Sequence, residues 1–396
     1  MKILAINTLH CDAGWRNFSY VKITTDEDIV GYSEFNESYG SKGVSSVIEK
    51  LAPVLVGRDA LAHEQVFAHL YAMTRQAPGG INAQAIAAIE NALLDVKGKA
   101  LGVSVASLLG GAMRDHLRLY WSHCGTYRVN ERTAQFMDKP MLKSLDDVRE
   151  LGAEVREMGF TGLKCNTYMF GEKSYVHGPG FGPARNSAQV PELNAERDVI
   201  NAIAEQIEAF REGAGPDVDL LLDLNFNFKT EGYIKITQAL APYDMFWCEM
   251  DIFNPEALAT IRSASPMPIA SCESLYGIRE FRSYFAHQSM DVAIIDVPWN
   301  GAWQAYKIAA MADACEVNVA PHNFYGHLST MMSAQFCAAV PNFRIMEIDI
   351  DDVPWKDDLV TNPPEIVDGH LIVSDRPGWG TDINEDAIKA HPPKQY

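Results

Sequence analysis

Three carboxylates close three consecutive apolar runs: Asp223 in Leu220-Leu-Leu-Asp, Glu249 in Met245-Phe-Trp-Cys-Glu, and Glu273 in Pro268-Ile-Ala-Ser-Cys-Glu. They lie 26 and 24 residues apart. That is one strand–helix unit per step, so consecutive parallel strands would deliver all three to one rim. Carboxylates crowded together raise one another's pKa unless a cation offsets their repulsion. An all-oxygen donor set suits a hard divalent ion, and Mg²⁺ is the expected occupant, with positions left for water and substrate. Any one of these acids alone could be a helix cap or a surface group. Their repetition at strand ends is what points to a metal.

Other polar residues fall at matching positions. Asn225, two residues beyond Asp223, would face the same way along a strand and could bind substrate or orient a metal-bound water. Lys164, in Gly162-Leu-Lys-Cys-Asn, would face into the barrel, where an isolated ammonium is costly and must be paired or functional. Asn166 points the same way but cannot act as a base. Asp296 ends Val292-Ala-Ile-Ile-Asp and His322 ends Val319-Ala-Pro-His. Neighbouring strands would set the carboxylate against one ring nitrogen and aim the other inward as a base. Glu347, in Arg344-Ile-Met-Glu-Ile-Asp, completes the ring as an acid or a substrate ligand. His327 and His123 are lesser pocket candidates, each as readily read as a structural histidine.

The elements that must position these groups are legible in the periodicity. Residues 1–60 read as an antiparallel meander: Tyr20-Val-Lys-Ile-Thr alternates, Asp26-Glu-Asp turns, and Ile29-Val-Gly-Tyr returns. A helical pattern follows in Ile86, Ile89, Leu93 and Val96, stopped by Leu109-Gly-Gly. Near residue 118 the pattern changes to short apolar strands alternating with amphipathic helices. Strands are expected at about 118–124, 161–166, 219–225, 245–249, 268–273, 291–296, 316–321 and 344–349. Eight strands linked by crossover helices can close a (β/α)-barrel. The expected division is an α+β domain at 1–117, a barrel at 118–355, and a segment at 356–396 that packs back on the first domain. The glycine- and proline-rich stretch 167–194 reads as an elaboration over the pocket. Its Gly178-Pro-Gly-Phe-Gly is no dinucleotide fingerprint, because no strand leads into it.

Composition bounds the reading. A chain of 396 residues suits two domains, and 47% hydrophobic with 21% charged residues is an ordinary globular balance. The net charge of −19 argues against a nucleic-acid partner, though not against an anionic small substrate in a locally positive pocket. No apolar run is long enough for a signal peptide or a membrane span, so no membrane association is expected. Seven widely spaced cysteines without a CxxC pair fit reduced thiols in the cytoplasm. Cys165, Cys248 and Cys272 read as small buried hydrophobes within strands. The Asn17-Phe-Ser sequon carries no meaning without export.

Through these residues the sequence resembles the enolase superfamily, specifically its mandelate racemase-like branch, over nearly the whole chain. Ala85-Ile-Ala-Ala-Ile-Glu-Asn-Ala-Leu-Leu-Asp-Val-Lys-Gly-Lys-Ala and Leu108-Leu-Gly-Gly look like the end of that family's capping domain. Asp223-Leu-Asn, Glu249 and Glu273 match its magnesium ligands; Asp296 and Ala320-Pro-His-Asn match its aspartate–histidine dyad. The resemblance implies abstraction of a proton alpha to a carboxylate, with the enediolate stabilised by Mg²⁺. It also implies a symmetric homo-oligomer. One departure is informative: the family's common Lys-x-Lys is here Lys164-x-Asn166, which removes the usual second base. Dehydration of an aldonate or aldarate sugar acid to a 2-keto-3-deoxy acid is therefore the expected reaction, and in syn elimination His322 could serve as both base and acid. Polyol recognition would draw on Arg16, Asn36, Tyr39, Asn166 and Tyr325, the first and third from the cap. Epimerisation or cycloisomerisation of a related acid or lactone is the alternative. A metal-free glycosidase using Glu249 and Glu273 leaves Asp223 and the dyad without a role. A noncatalytic barrel would show these residues splayed apart.

Overall fold

The computed structural model describes residues 1–38, 41–178 and 193–394. The chain opens with β1 (Ile3–Asp12), β2 (Asn17–Thr25) and β3 (Val30–Phe35), paired antiparallel in that order. Alternation along β2 puts Val21 and Ile23 into a core shared with Phe35 and the following helices. Those helices are α1 (Val44–Leu51), α2 (His63–Thr74) and α3 (Gly80–Leu101). α3 is apolar nearly all round because it is covered on two sides. One side packs on the sheet so closely that a Cβ on Gly31 would sit 2.4 Å from the Ala92 carbonyl oxygen. The other side meets the barrel, where Asn91 donates to the Val297 carbonyl at 3.1 Å and accepts from the Ala302 N–H at 2.8 Å.

The barrel strands are β4 (His116–Ser122), β5 (Gly162–Cys165), β8 (Asp219–Asp223), β9 (Trp247–Glu249), β10 (Ile269–Ser271), β11 (Val292–Asp296), β12 (Asn318–His322) and β13 (Met346–Asp349). They pair in parallel in that order from β4 to β12, and β13 pairs with β4. A parallel bridge between Val319 and Phe343 links the remaining edge. All eight expected strands are present, each within two residues of its expected bounds. Tyr120, Leu221, Trp247, Ala270, Ile294, Ala320 and Ile345 fill the interior, with Tyr120 edge-on to Trp247 at 5.7 Å. This apolar plug forces the polar strand-end residues into one layer at the C-terminal mouth.

Several expectations need correction. Cys272 and Glu273 lie past the end of β10 rather than within a strand. Asn225 likewise lies beyond β8, and its φ of 46° takes it out of the strand direction altogether. Within 167–194 the chain first forms a small hairpin, β6 (Tyr168–Met169) with β7 (Tyr175–Val176). Its Gly-Pro-rich part, 179–192, lies outside the described residues. The C-terminal segment does reach the cap: the Trp379 indole donates to the Tyr32 carbonyl at 3.0 Å. It also supplies β14 (Ile366–Val367) and β15 (His370–Ile372), and β15 adds antiparallel to the start of β4. All seven cysteines are free thiols, and no helix among the described residues is long and apolar enough to cross a membrane.

Candidate active site

The direct pairing of Asp296 with His322 across β11 and β12 sets one carboxylate against one imidazole. His322 Nδ1 lies 2.6 Å from Asp296 Oδ2, and the other Asp296 oxygen accepts the Trp299 N–H at 2.7 Å. The Tyr325 hydroxyl also donates to Asp296 Oδ2, so this residue braces the dyad. His322 Nε2 faces inward, 3.4 Å from Glu273 Oε2. Burial alone would lower the imidazole's proton affinity, but Glu273 and Asp296 outweigh it and raise the pKa to about 10. A cation on Glu273 would weaken the first of these pulls and leave Asp296 as the main support of the ring's proton affinity.

Across the mouth, the Lys164 ammonium sits 2.9 Å from both Glu249 Oε2 and Glu347 Oε1, above the Tyr120 ring. Burial disfavours its charge, yet Glu249 and Glu347 hold its pKa well above the ordinary value. Its two carboxylate partners thus favour the charged form. Glu347 is the mirror case: burial pushes its carboxyl up, but Lys164, His322 and His123 pull it below the ordinary range. It also accepts hydrogen bonds from the Ser122 hydroxyl and the Asn323 N–H. That environment favours a charged, hydrogen-bond-accepting carboxylate. Asn166 is engaged on all sides. It accepts from Thr126 Oγ1 at 2.8 Å and donates to the Asp223 carbonyl and to Asn225 Oδ1.

Asp223 and Glu249 end β8 and β9, and Glu273 lies two residues past the end of β10. Asn225 closes around Asp223, its N–H reaching Oδ1 at 2.8 Å and its side-chain amide Oδ2 at 3.1 Å. Glu249 Oε1 is buried with no hydrogen-bond partner. Burial, then the charges of Asp223 and Glu347, drive the Glu249 pKa up to about 7 despite Lys164. Burial and the surrounding carboxylates Asp251, Asp223 and Glu249 push Glu273 up as well, against the pull of His322. Among the described residues no three such donors are drawn to the spacing of a ready-made cage. An orphaned carboxylate oxygen amid mutually repelling acids is the environment a divalent cation relieves, and the donor set fits Mg²⁺.

The remaining sequence candidates divide. Arg16 reaches over from the cap, bonding the Phe324 carbonyl and pairing with Asp352 at 2.8 Å. Asn36 is buried, with its side-chain oxygen accepting the Ser38 N–H at 3.1 Å. Tyr39 lies outside the described residues. His327 turns away from the carboxylates to Asp357, 2.6 Å from its Nε2. Sequence reasoning missed Glu34, which leaves β3 to accept the N–H groups of Gly326 and Ser329 at 2.7 and 2.9 Å. A buried acid on the N-terminus of the helix His327–Ala339 ties the cap to the loop that follows His322. It also missed the second imidazole–carboxylate pair, His123 Nδ1 with Asp349 Oδ1 at 2.9 Å.

Comparison with known proteins agrees with this architecture. Residues 147–387 match the "Enolase C-terminal domain-like" model, and residues 4–110 match the "Mandelate racemase / muconate lactonizing enzyme, N-terminal domain" model. A Burkholderia xenovorans structure named as a "putative L-alanine-DL-glutamate epimerase" is 52% identical, covering 100% of this chain and 99% of its own, with a TM-score of 0.96. A second structure of the same description, at 52% identity and TM-score 0.95 over 99% of this chain and 96% of that one, is bound to magnesium and fumarate. D-xylonate dehydratase of Haloferax volcanii is 28% identical over 94% of this chain and 84% of its own length. D-galactarolactone cycloisomerase of Agrobacterium fabrum is 28% identical over 93% and 89%. Matched over both its cap and its barrel, this chain belongs to the mandelate racemase-like branch of the enolase superfamily.

Proposed function

We propose that this chain removes the alpha-proton of a small sugar-acid or hydroxy-acid carboxylate, with His322 as the base and Mg²⁺ held by Asp223, Glu249 and Glu273. The observation that carries the reading is the Asp296–His322 pair, with its free ring nitrogen turned toward Glu273. Bound magnesium supplies fixed positive charge beside the substrate carboxylate, on which negative charge grows as the proton leaves. Asp296 fixes the tautomer and stabilises the imidazolium once His322 has taken the proton. Lys164 holds a second positive charge at the opposite wall, and Asn166 offers hydrogen bonds without changing protonation.

Two fates of the enediolate are in play. Geometry supports dehydration: strand β5 presents a doubly ion-paired lysine and an amide, so no base faces His322 from that wall. The imidazolium would return its proton to the departing beta-hydroxyl; the C–H and C–O bonds break, water leaves, and the enol tautomerises to a 2-keto-3-deoxy acid. The comparisons weigh more toward epimerisation, because the 52% identical relative carries an epimerase name while the dehydratase is 28% identical. His123, held by Asp349 at the ends of β4 and β13, would then be the second proton carrier.

Incubating a panel of acid sugars and hydroxy acids with the chain and Mg²⁺ in D₂O separates the two. Dehydration yields a 2-keto acid; epimerisation yields a deuterated epimer and no keto acid. Epimer formation that survives in His123→Asn would remove His123 from the second reading.

A further inference from the structure

A fourth carboxylate, unused in the chemistry above, laces together the strand ends that carry Asp223, Glu249 and Glu273. Asp251 lies two residues past Glu249 and is only 4% exposed. Its Oδ1 accepts the Cys272 N–H at 2.9 Å and the Ser271 hydroxyl at 3.3 Å. Its own N–H donates to the Asn225 carbonyl at 3.1 Å, and Asn225 is the residue whose N–H and amide clasp Asp223. One chain of hydrogen bonds thus runs from Asp223 through Asn225 and Asp251 to Cys272, whose next neighbour is Glu273.

Cys272 is where the backbone needs holding. Its φ is 92°, while the other described non-glycine residues with positive φ lie between 46° and 62°. A Cβ in that region crowds the flanking peptide, and such a conformation persists only where the surroundings over-determine it. The turn takes the chain out of β10 and brings Glu273 Oε2 to 3.4 Å from His322 Nε2. An ordinary extended residue at 272 would carry Glu273 elsewhere.

We propose that Asp251 is a positioning residue: its carboxylate pins Cys272 in the left-handed conformation and so sets Glu273 against the metal and His322. This rests on the reading that Asp223, Glu249 and Glu273 bind Mg²⁺. The contribution is one of geometry, through an acceptor oxygen, rather than of added negative charge.

Calorimetric titration of the whole chain with MgCl₂, without substrate, tests this alongside thermal unfolding in chelator. Asp251→Ala should lower Mg²⁺ affinity by about tenfold or more, the scale on which lost support of a ligand is felt. Asp251→Asn should stay close to wild type, since its amide oxygen still accepts the Cys272 N–H. Asp251→Ala combined with Cys272→Gly should recover most of the loss, because glycine enters positive φ without a Cβ penalty. Wild-type affinity in Asp251→Ala overturns the proposal. So does an Asn variant as weak as the Ala variant, which would assign Asp251 a charge role, and so does a double variant that recovers nothing. Glu249→Gln is the control. If it loses Mg²⁺ while Asp251→Ala does not, positioning alone has failed; if it binds Mg²⁺ normally, the metal assignment itself has failed and positioning falls with it. Should Asp251→Ala not fold, the Asn variant and the double variant still decide the matter.

Discussion

Proton affinity at a single imidazole decides what this site can do. His322 is buried, which disfavours its charge, but Glu273 and Asp296 lie against its two nitrogens and raise its pKa to about 10. A base works only when unprotonated, so the rate should rise with pH through this ionisation, which a cation on Glu273 would bring to lower pH. Asp296→Asn removes one of the charges that raise it. The acidic limb of the pH–rate profile should then move to lower pH, while the maximal rate falls by roughly 10²–10⁴-fold, the usual worth of a positioned base. An unshifted limb would mean that Asp296 does not set the histidine's basicity. At this scale the sequence was a good guide wherever a residue ended an apolar run: Asp223, Glu249, Asp296 and His322 each end a strand, while Glu347 lies within the last one. It gave no sign of Glu34 or Asp251, and it pointed to Tyr325 for polyol recognition rather than for its bond to Asp296. Their importance lies in hydrogen bonds between distant elements, and such bonds leave no period in the chain.

Elements were legible in proportion to their burial. The barrel strands read as short apolar runs because the interior plug and the outer helices cover both faces. Two-residue strands such as β6, β7 and β14 bury too little to leave a pattern. The departures at Asn225 and Cys272 were hidden because residues other than glycine seldom adopt positive φ. Contacts between elements carry a prediction of their own. His63 on α2 is buried edge-on to Trp303, 5.1 Å away. Burial, with Lys97 adding to it, lowers its pKa to about 4. The unfolded chain takes up this proton near pH 6.5, so the folded state is favoured above that value and loses the advantage as pH falls toward 4. The loss should be on the order of 3 kcal/mol, at about 1.4 kcal/mol for each tenfold change in proton affinity. His63→Phe keeps the ring contact and should flatten that part of the stability profile, measured by urea unfolding between pH 6.5 and 4.5. Parallel wild-type and variant profiles would contradict it.

For the molecule as a whole, the cap and barrel are joined directly around the mouth. Arg16 and Glu34 reach onto the loop after His322, and α3 bonds the turn after β11. With a net charge of −19 and a cluster of buried acids, the folded chain should gain from a bound cation. Mg²⁺ at a hundredfold excess over its Kd should add about 2.7 kcal/mol of stability, raise the Tm, and do neither in Glu249→Gln. Chelation should abolish turnover, and full activity in a metal-free preparation would remove the metal from the account. The central claim is that His322 takes the alpha-proton, and NMR of alpha-hydrogen exchange with solvent deuterium tests it most directly. With an active acid substrate and Mg²⁺, wild type should exchange or turn over. His322→Asn should bind both ligands yet do neither. Exchange at the wild-type rate in His322→Asn would contradict the account and move the base to another residue.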